Sequence, residues 1–303
     1  MKNINKIVVG LELKEIDSYI LEYLKMVGIL LKPNEIQFIN IHKEELPEDI
    51  AEKFPEITEN IDNHYIKEMV AETTNITLLD INISYKAIQG NILVEILNAS
   101  NQKNVDLLVI GRKHERQDRH IHYRTIIRKA VSNILIIPEK TCLEMKNFLV
   151  PIDFSQYSKF SIKQAITLAK AANAKIVLQN IYEVPSGYSK TGKTFSEFAD
   201  IMKSHAKEKC DAFLKDIDLK DISYEIIYTL NENSSISKTI EDTITILEPD
   251  LLILGSKGKN KFSAILVGST AESLISKREI DIPVLLTRMK TQSSTIWDAI
   301  KEF

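Results

Sequence analysis

The sequence predicts an α/β protein in which a parallel sheet is covered by helices on both faces. Short apolar runs alternate with stretches that carry apolar residues at helical spacing. Such alternation is typical of parallel strands joined by helical crossovers. The pattern then starts again: residues 250–255 (DLLILG) repeat residues 106–111 (DLLVIG) 144 positions later. A repeat of that length indicates two successive domains, not a short solenoid unit.

The first half contains five apolar runs that we assign to strands and four stretches that we assign to helices. The helix at 15–31 shows the pattern most clearly, with Ile16, Ile20, Leu24 and Val27 on one side. An acidic segment at 43–62 reads as an exposed connection. The strands are predicted at 6–10, 36–41, 80–87, 106–111 and 133–137, and the helices at 15–31, 64–72, 91–101 and 124–131.

The second half repeats this order after a linker at 139–146. Ser155 is expected to cap the first helix of this half, and 185–193 is expected to be a loop. The strands are predicted at 147–152, 175–182, 224–229, 250–255 and 281–287, and the helices at 155–171, 194–214, 235–247 and 269–277.

Composition argues against several functions. The net charge is −3 and the isoelectric point is near 6.1, so no electrostatic signature of nucleic-acid binding is present. No apolar run approaches the roughly 18–20 residues that cross a membrane. We expect no signal peptide, and Cys142 and Cys210 are too few for a disulfide framework. Together these features predict a cytoplasmic protein.

The segment with the clearest chemistry is 251–270. Its apolar run ends at Gly255, Gly258 follows, and Gly268-Ser269-Thr270 lies beyond, with the spacing G-x2-G-x9-G-[ST]. Glycines let the backbone turn and approach a ligand, and Ser269 is expected to cap the next helix. Backbone N–H groups at such a helix start favour phosphate. A turn that merely joins a strand to a helix is the alternative.

These residues carry a family resemblance. The second half resembles a universal stress protein domain in the segment 150–153 (VPID), in residues 250–255, in the glycine spacing and in 282–284 (IPV). The first half resembles the same domain more weakly. The resemblance implies two Rossmann-like domains of the adenine nucleotide alpha hydrolase-like type, each with strand order 3-2-1-4-5. The expected limits are 1–140 and 147–290, with a tail at 291–303.

Family members with this loop bind ATP, with or without magnesium, and the resemblance implies a site here. Asp153 would accept from the ribose or the adenine edge, although it could instead cap the next helix. Pro151 and Ile181 would flank the base. Backbone and hydroxyl groups of Gly255, Gly258, Gly268, Ser269 and Thr270 would hold the phosphates. Lys257 would neutralise phosphate charge or stay solvated.

The first half departs from this pattern. Its second glycine position is His114, and the position matching Gly268 is Arg124. Side chains there obstruct close approach of the backbone to phosphate, so we expect no ATP in this half. It is then a degenerate pairing domain or holds another anion. The cluster of His114, His120 and His122 suggests a metal site. Residues two positions apart do not converge on one side of a helix, however, so we assign no metal.

Three functions follow for comparison: a nucleotide-binding regulatory or stress protein, a slow ATP or AMP hydrolase, and a nucleotide-free scaffold. The sequence favours binding over hydrolysis, since phosphoryl transfer needs placed carboxylates and Glu272 is the only acidic side chain near the loop. No catalytic residue is assigned.

Family domains pair through their fifth strands, so 133–137 and 281–287 are expected to pair within the chain. A dimer of chains stays open. The tail carries the apolar residues Ile296, Trp297, Ile300 and Phe303, which are expected to pack against their own chain or, alternatively, to contact an unknown protein partner.

Overall fold

The structure is a computed structural model that describes residues 4–43, 53, 55–74, 76, 80–113, 123–232, 235–256, 267–277 and 280–289. Within these residues ten strands form one sheet, accompanied by eight α-helices and one 3-10 helix. The first half comprises β1 (Lys6–Leu11), α1 (Ile16–Leu31), β2 (Glu35–His42), α2 (Pro55–Glu72), β3 (Asn82–Gln89), α3 (Ile92–Ser100), β4 (Val105–Arg112), α4 (Tyr123–Lys129) and β5 (Asn133–Pro138).

The second half has the same order of strands and helices. It comprises β6 (Asn147–Ile152), α5 (Gln156–Ala172), β7 (Lys175–Tyr182), α6 (Phe195–Leu214), β8 (Tyr224–Leu230), α7 (Ile236–Leu247), β9 (Leu251–Gly255), α8 (Ser269–Ser276) and β10 (Val284–Thr287). The α/β fold and both series of alternating elements are therefore confirmed.

The strand order is β3-β2-β1-β4-β5-β10-β9-β6-β7-β8, which is 3-2-1-4-5 followed by its reverse. Neighbouring strands run parallel except β5 and β10, which pair antiparallel with Leu135 opposite Leu285. The expected pairing of fifth strands within one chain is confirmed. It covers one edge of each half-sheet and leaves β3 and β8 outermost. Because the halves share a sheet, the domain limits stay predictions, and residues 290–303 lie outside the described residues.

Two apolar layers cover the sheet, and each contains residues from both halves. Tyr23 on α1 and Ile162 on α5 belong to one layer, whereas Ile127 on α4 and Leu274 on α8 belong to the other. The helices α1 and α5 touch each other, as do α4 and α8. The two halves are thus joined by side-chain packing on both faces as well as by strand pairing.

The repeated sequence motif repeats its hydrogen bonds. The Oδ2 atom of Asp106 accepts from the backbone N–H of Asn5 at 2.7 Å, and the Oδ2 atom of Asp250 accepts from that of Asn147 at 2.8 Å. The aspartate that opens each DLL motif therefore anchors the start of the first strand of its own half. That is a structural reason for the motif, independent of any ligand.

Two expectations about connections are wrong. Helix α2 begins at Pro55, so 55–62 is helical and not a connection; proline is well suited to a first helical turn because it lacks the N–H that would stay unpaired there. The predicted loop 185–193 contains a 3-10 helix at Ser186–Thr191. The expected cap is confirmed, since Ser155 Oγ accepts from the Ser158 N–H at 3.2 Å.

None of the helices in the described part of the chain combines the length and apolar composition that crossing a bilayer requires.

Candidate functional site

A crevice opens at the carboxyl ends of β6, β7 and β9. Its volume is about 950 Å³, near the upper end of the range for small-molecule sites. The chain leaves β6 toward α5 on one face of the sheet and leaves β9 toward α8 on the other. A point where connections diverge in this way is where open α/β sheets bind ligands.

The structure brings together seven of the nine residues that the sequence analysis selected. All seven line the crevice: Pro151, Asp153, Ile181, Gly255, Gly268, Ser269 and Thr270. The other two, Lys257 and Gly258, lie outside the described residues. Residues separated by more than 100 positions thus share one cavity, although the binding role of each stays a prediction.

The carboxylate of Asp153 shapes the turn that leads from β6 into α5. Its Oδ1 accepts from Ser158 Oγ at 2.5 Å and from the Ser155 N–H at 3.0 Å. Phe154 between them has a φ of 63°, a left-handed conformation that is costly for a bulky side chain. Asp153 therefore stabilises a strained turn while also lining the crevice. The N-cap of α5 is Ser155, so the interpretation of Asp153 as the helix cap is wrong.

The start of α8 faces the same crevice. Its N-cap residue is Gly268, and in the described part of the chain no side chain caps this end. The expectation that Ser269 is the cap is wrong, because Ser269 is already the first helical residue. The Gly268 N–H donates to the Ser256 carbonyl at 2.8 Å. The uncapped N–H groups and the positive end of the helix dipole favour an anion here.

Gly255 has a packing role that the sequence analysis did not anticipate. A Cβ at this position would lie 3.2 Å from Ser161 Oγ and 3.4 Å from the Tyr157 carbonyl carbon, both on α5. In the first half, a Cβ at Gly111 would lie 2.6 Å from Ile16 Cγ1 on α1. Both glycines therefore allow the first helix of their half to pack closely on the fourth strand.

The crevice carries charges of both signs. Asp153, Glu183, His205 and Lys209 all line it, and Glu183 Oε1 accepts from Asn231 Nδ2 at 2.7 Å. Lys209 on α6 is cationic, and the start of α8 carries the positive end of a helix dipole. Both could interact favourably with negative charge on a ligand.

Tyr182 at the end of β7 also lines the crevice. Partial burial, with the nearby carboxylates of Asp200 and Glu232, raises the pKa of its phenol above the usual value. The phenol therefore stays neutral at physiological pH and keeps both its donor and its acceptor capacity.

Glu272 does not line the crevice. Its carboxylate receives two hydrogen bonds from Arg128 on α4, at 2.6 Å from Nη2 and 3.0 Å from Nε. Arg124 Nε lies 4.0 Å from the same carboxylate. The acidic side chain nearest the glycine loop in the sequence thus links the two halves.

Sequence reasoning missed several lining residues. Gln179 and Asn180 could have been found as polar residues inside the apolar strand KIVLQNIY. Met202, His205 and Lys209 could have been found as one face of α6, since they are spaced by three and four positions. Which side of α6 faces the crevice could not be inferred without the tertiary structure.

In the first half, charged side chains of that half occupy the place that corresponds to the crevice. Glu12 follows β1 as Asp153 follows β6, and its carboxylate pairs with the ammonium group of Lys113. Lys14 Nζ lies 4.0 Å from the same carboxylate. Arg124, at the position that matches Gly268, instead donates from Nε to Ser276 Oγ at 3.0 Å. The departure from the glycine pattern is therefore accompanied by an internal ion pair.

Asp17 stabilises the turn of the first half. Its buried carboxylate accepts from the backbone N–H groups of Glu12 at 3.1 Å, Leu13 at 2.6 Å and Lys14 at 3.4 Å. Burial raises its pKa to about 6, with a smaller contribution from the charge of Glu72, while the three N–H groups oppose the shift. Leu13 has the same left-handed conformation as Phe154.

The histidine cluster of the sequence, His114, His120 and His122, lies outside the described residues. Within the part that the structure describes, no group of three or more His, Cys, Asp or Glu side chains could hold a metal ion.

Fold and site together define a class: a doubly wound α/β protein whose second half keeps an open crevice at its switch point. Residues 144–288 match the model of the universal stress protein family. A universal stress protein of Methanocaldococcus jannaschii is 27% identical over 161 residues, which cover 48% of this chain and 96% of that protein. The C-terminal half of this chain is a universal stress protein domain.

Solved structures resemble the chain over nearly its whole length. A universal stress protein from Archaeoglobus fulgidus covers 95% of this chain and 99% of its own, with a TM-score of 0.65 and 16% identity. A protein of unknown function from Pseudomonas aeruginosa covers 94% of this chain and 92% of its own, with a TM-score of 0.64 and 13% identity. Because the sequence identities are this low, the similarity shows only that both halves share the fold of these proteins.

Proposed function

We propose that the C-terminal half binds ATP in the crevice, and that the N-terminal half is a degenerate domain of the same kind that pairs with it. One observation carries the proposal. The turn after β6 and the uncapped start of α8 line a single cavity of about 950 Å³. Such a cavity offers an apolar place for a base at one end and N–H donors for phosphate at the other.

The lining residues fit the two ends of a nucleotide. Pro151 and Ile181 supply apolar surface for the base, and Asp153 supplies an acceptor for ribose hydroxyls. Gly268, Ser269 and Thr270 supply backbone donors for phosphate oxygens. Magnesium would be held chiefly by those oxygens, as Mg²⁺ usually is when it accompanies a nucleotide.

Binding without rapid turnover is the activity we propose. Phosphoryl transfer requires a charge-neutralising metal and a group that positions the attacking oxygen. Glu272, which the sequence places nearest the loop, is engaged by Arg128 on the other half. The function is therefore regulatory: the domain would report or store adenine nucleotide, in keeping with a stress-response family.

The test is isothermal titration of the full chain with ATP, with and without magnesium. We expect one nucleotide per chain, and we expect Gly268→Val to abolish binding because its side chain obstructs the start of α8. Arg124→Val places the same side chain at the matching position of the first half and is the control; binding should persist. Circular dichroism and thermal melting would show that both variants fold.

Each alternative predicts a different outcome. Two nucleotides per chain would contradict a degenerate first half. Absence of binding at millimolar ATP would favour a nucleotide-free scaffold. Steady release of ADP or AMP by the purified chain would favour a hydrolase. The cytoplasmic location and a dimer of chains stay predictions.

A further inference from the structure

Gln179 is a polar residue in the interior of a largely apolar strand. It lies in the middle of β7 (KIVLQNIY) and is completely buried, with 0% of its surface exposed. Burying an amide is unfavourable unless its donor and acceptor groups are both hydrogen-bonded. The hydrogen bonds of the Gln179 amide therefore indicate the role of a polar residue at this position.

The donor side of this amide is satisfied. Gln179 Nε2 donates to Thr243 Oγ1 at 2.7 Å and to Thr229 Oγ1 at 3.1 Å. The hydroxyl of Thr243 donates its own proton to the Thr239 carbonyl at 2.9 Å, so toward Gln179 it can only accept. This arrangement fixes which end of the amide is the NH₂ group.

The acceptor side is not satisfied. Gln179 Oε1 is buried and has no hydrogen-bond partner among the described residues. The amide cannot turn over to correct this, because its NH₂ group would then leave the acceptor hydroxyl of Thr243. The strand thus holds a carbonyl oxygen that lacks a donor in the protein alone.

Gln179 also lines the crevice. It does so together with Ile181, which is two residues further along β7 and therefore on the same face of the sheet. Apolar side chains of α7, Ile236 and Ile240, line the cavity as well. A flat base that packs against Ile181 would point one edge toward Gln179.

We propose that Gln179 Oε1 accepts a hydrogen bond from the 6-amino group of a purine, and that Gln179 thereby selects 6-aminopurine over 6-oxopurine nucleotides. The inference rests on the proposed nucleotide function of the same crevice. Adenine presents an N–H donor at position 6, whereas guanine and hypoxanthine present an oxygen acceptor there. With a 6-oxopurine, two acceptors would face each other away from water, and neither would be satisfied.

The direct test compares ATP with inosine triphosphate, which carries an oxygen at position 6, by calorimetric titration of the unmodified chain. We expect ATP to bind at least about tenfold more tightly, as unpaired buried acceptors discriminate at that level or above. Equal affinity would overturn the inference and leave the proposed function intact. Absence of binding by either nucleotide would contradict both.

Variants then assign the preference to this residue. Gln179→Met keeps the size of the side chain and removes the acceptor, so we expect the preference for ATP to fall to within about twofold. Thr243→Val, which removes the anchor of the amide, should reduce the preference in the same direction. Gln164→Leu, on α5 and outside the crevice, is the control. A preference that survives Gln179→Met in a folded protein would overturn the assignment.

Discussion

At the scale of single residues, the two halves use the same turn with different side chains. In the second half, Asp153 and Ser158 fix the turn after β6, and Asp153 also lines the crevice. In the first half, Asp17 fixes the turn after β1, while Glu12 pairs with Lys113. One backbone conformation is therefore maintained with an acceptor facing a cavity in one half and an internal ion pair in the other.

We predict that Asp153→Ala weakens ATP binding by about tenfold or more, since a hydrogen bond to a charged group contributes roughly 1.5–3 kcal/mol. Glu12→Ala changes the corresponding residue of the first half, and affinity should stay within about twofold, as we propose no nucleotide site in that half. Fluorescence titration of both variants would measure this. Equal loss in the two variants would contradict the assignment of the site to the second half.

The raised pKa of the Asp17 carboxyl group leads us to predict that stability depends on pH. Its folded pKa of about 6 exceeds the ordinary value of roughly 3.9, so the folded state holds the proton more tightly. The free energy of unfolding should therefore fall as pH rises from about 4 to about 6, by about 3 kcal/mol at most.

Urea unfolding of the original chain and of Asp17→Asn at several pH values isolates this effect. The difference between the two free energies of unfolding should change through that window and be constant above it. Parallel curves would show that Asp17 does not titrate in this range.

At the scale of elements, the glycine at or next to the end of each fourth strand allows the first helix of its half to pack closely on the sheet. Gly111→Ala should destabilise the protein by about 1–3 kcal/mol, since overpacking a buried contact has effects of this size. A Cβ there would lie within 2.6 Å of Ile16 on α1. Gly255→Ala should have a smaller effect, with its nearest contact at 3.2 Å.

The matched control for both is Gly187→Ala, at a position where a Cβ would meet nothing within 4 Å. Its free energy of unfolding should stay within about 0.5 kcal/mol of the original. Denaturant titration gives all three values, and a ranking with Gly255 above Gly111 would contradict the packing argument.

At the scale of the whole molecule, two arginines, one buried and one half-buried, link the two halves reciprocally. Arg112 at the end of β4 donates to the carbonyls of Lys277 and Ile280 in the second half. Arg288 after β10 donates to the carbonyl of Ile127 in the first half. Burial lowers the pKa of both guanidinium groups, that of Arg288 to about 10. These contacts hold the halves together beside the β5–β10 pair.

We predict that the two halves unfold as one unit. Leu285→Asp would bury an unpaired charge opposite Leu135 in the strand pair, which should lower stability by about 3 kcal/mol or more. Hydrogen exchange measured by mass spectrometry should then show faster exchange in both halves. Ile246→Asp, at a residue 78% exposed, is the control, with exchange unchanged. Faster exchange confined to the second half would indicate that the halves unfold independently.

Much of the fold could be predicted because its signals are local. The apolar runs of β4 and β9 and the helical spacing of α1 depend only on residues close in sequence, and so does the Ser155 cap. The start of α2 at Pro55 was missed because the acidic segment was interpreted as a connection, although Ile57 and Ile61 lie four positions apart as on one side of a helix. The cap of α8 was misassigned by one residue, as Gly268 and Ser269 are both acceptable at an N-cap.

The sequence by itself determined the alternation of strands and helices, the duplication, and a set of residues after β6 and β9 that belong together. Periodicity and motif spacing are properties of the chain that survive without a structure. Only the tertiary structure decided that Glu272 faces α4, that Gln179 lines the crevice with a buried and unpaired Oε1, and that Gly111 and Gly255 serve helix packing. Those facts depend on which side chains meet across the sheet, and distances between remote residues are fixed only when the layers pack.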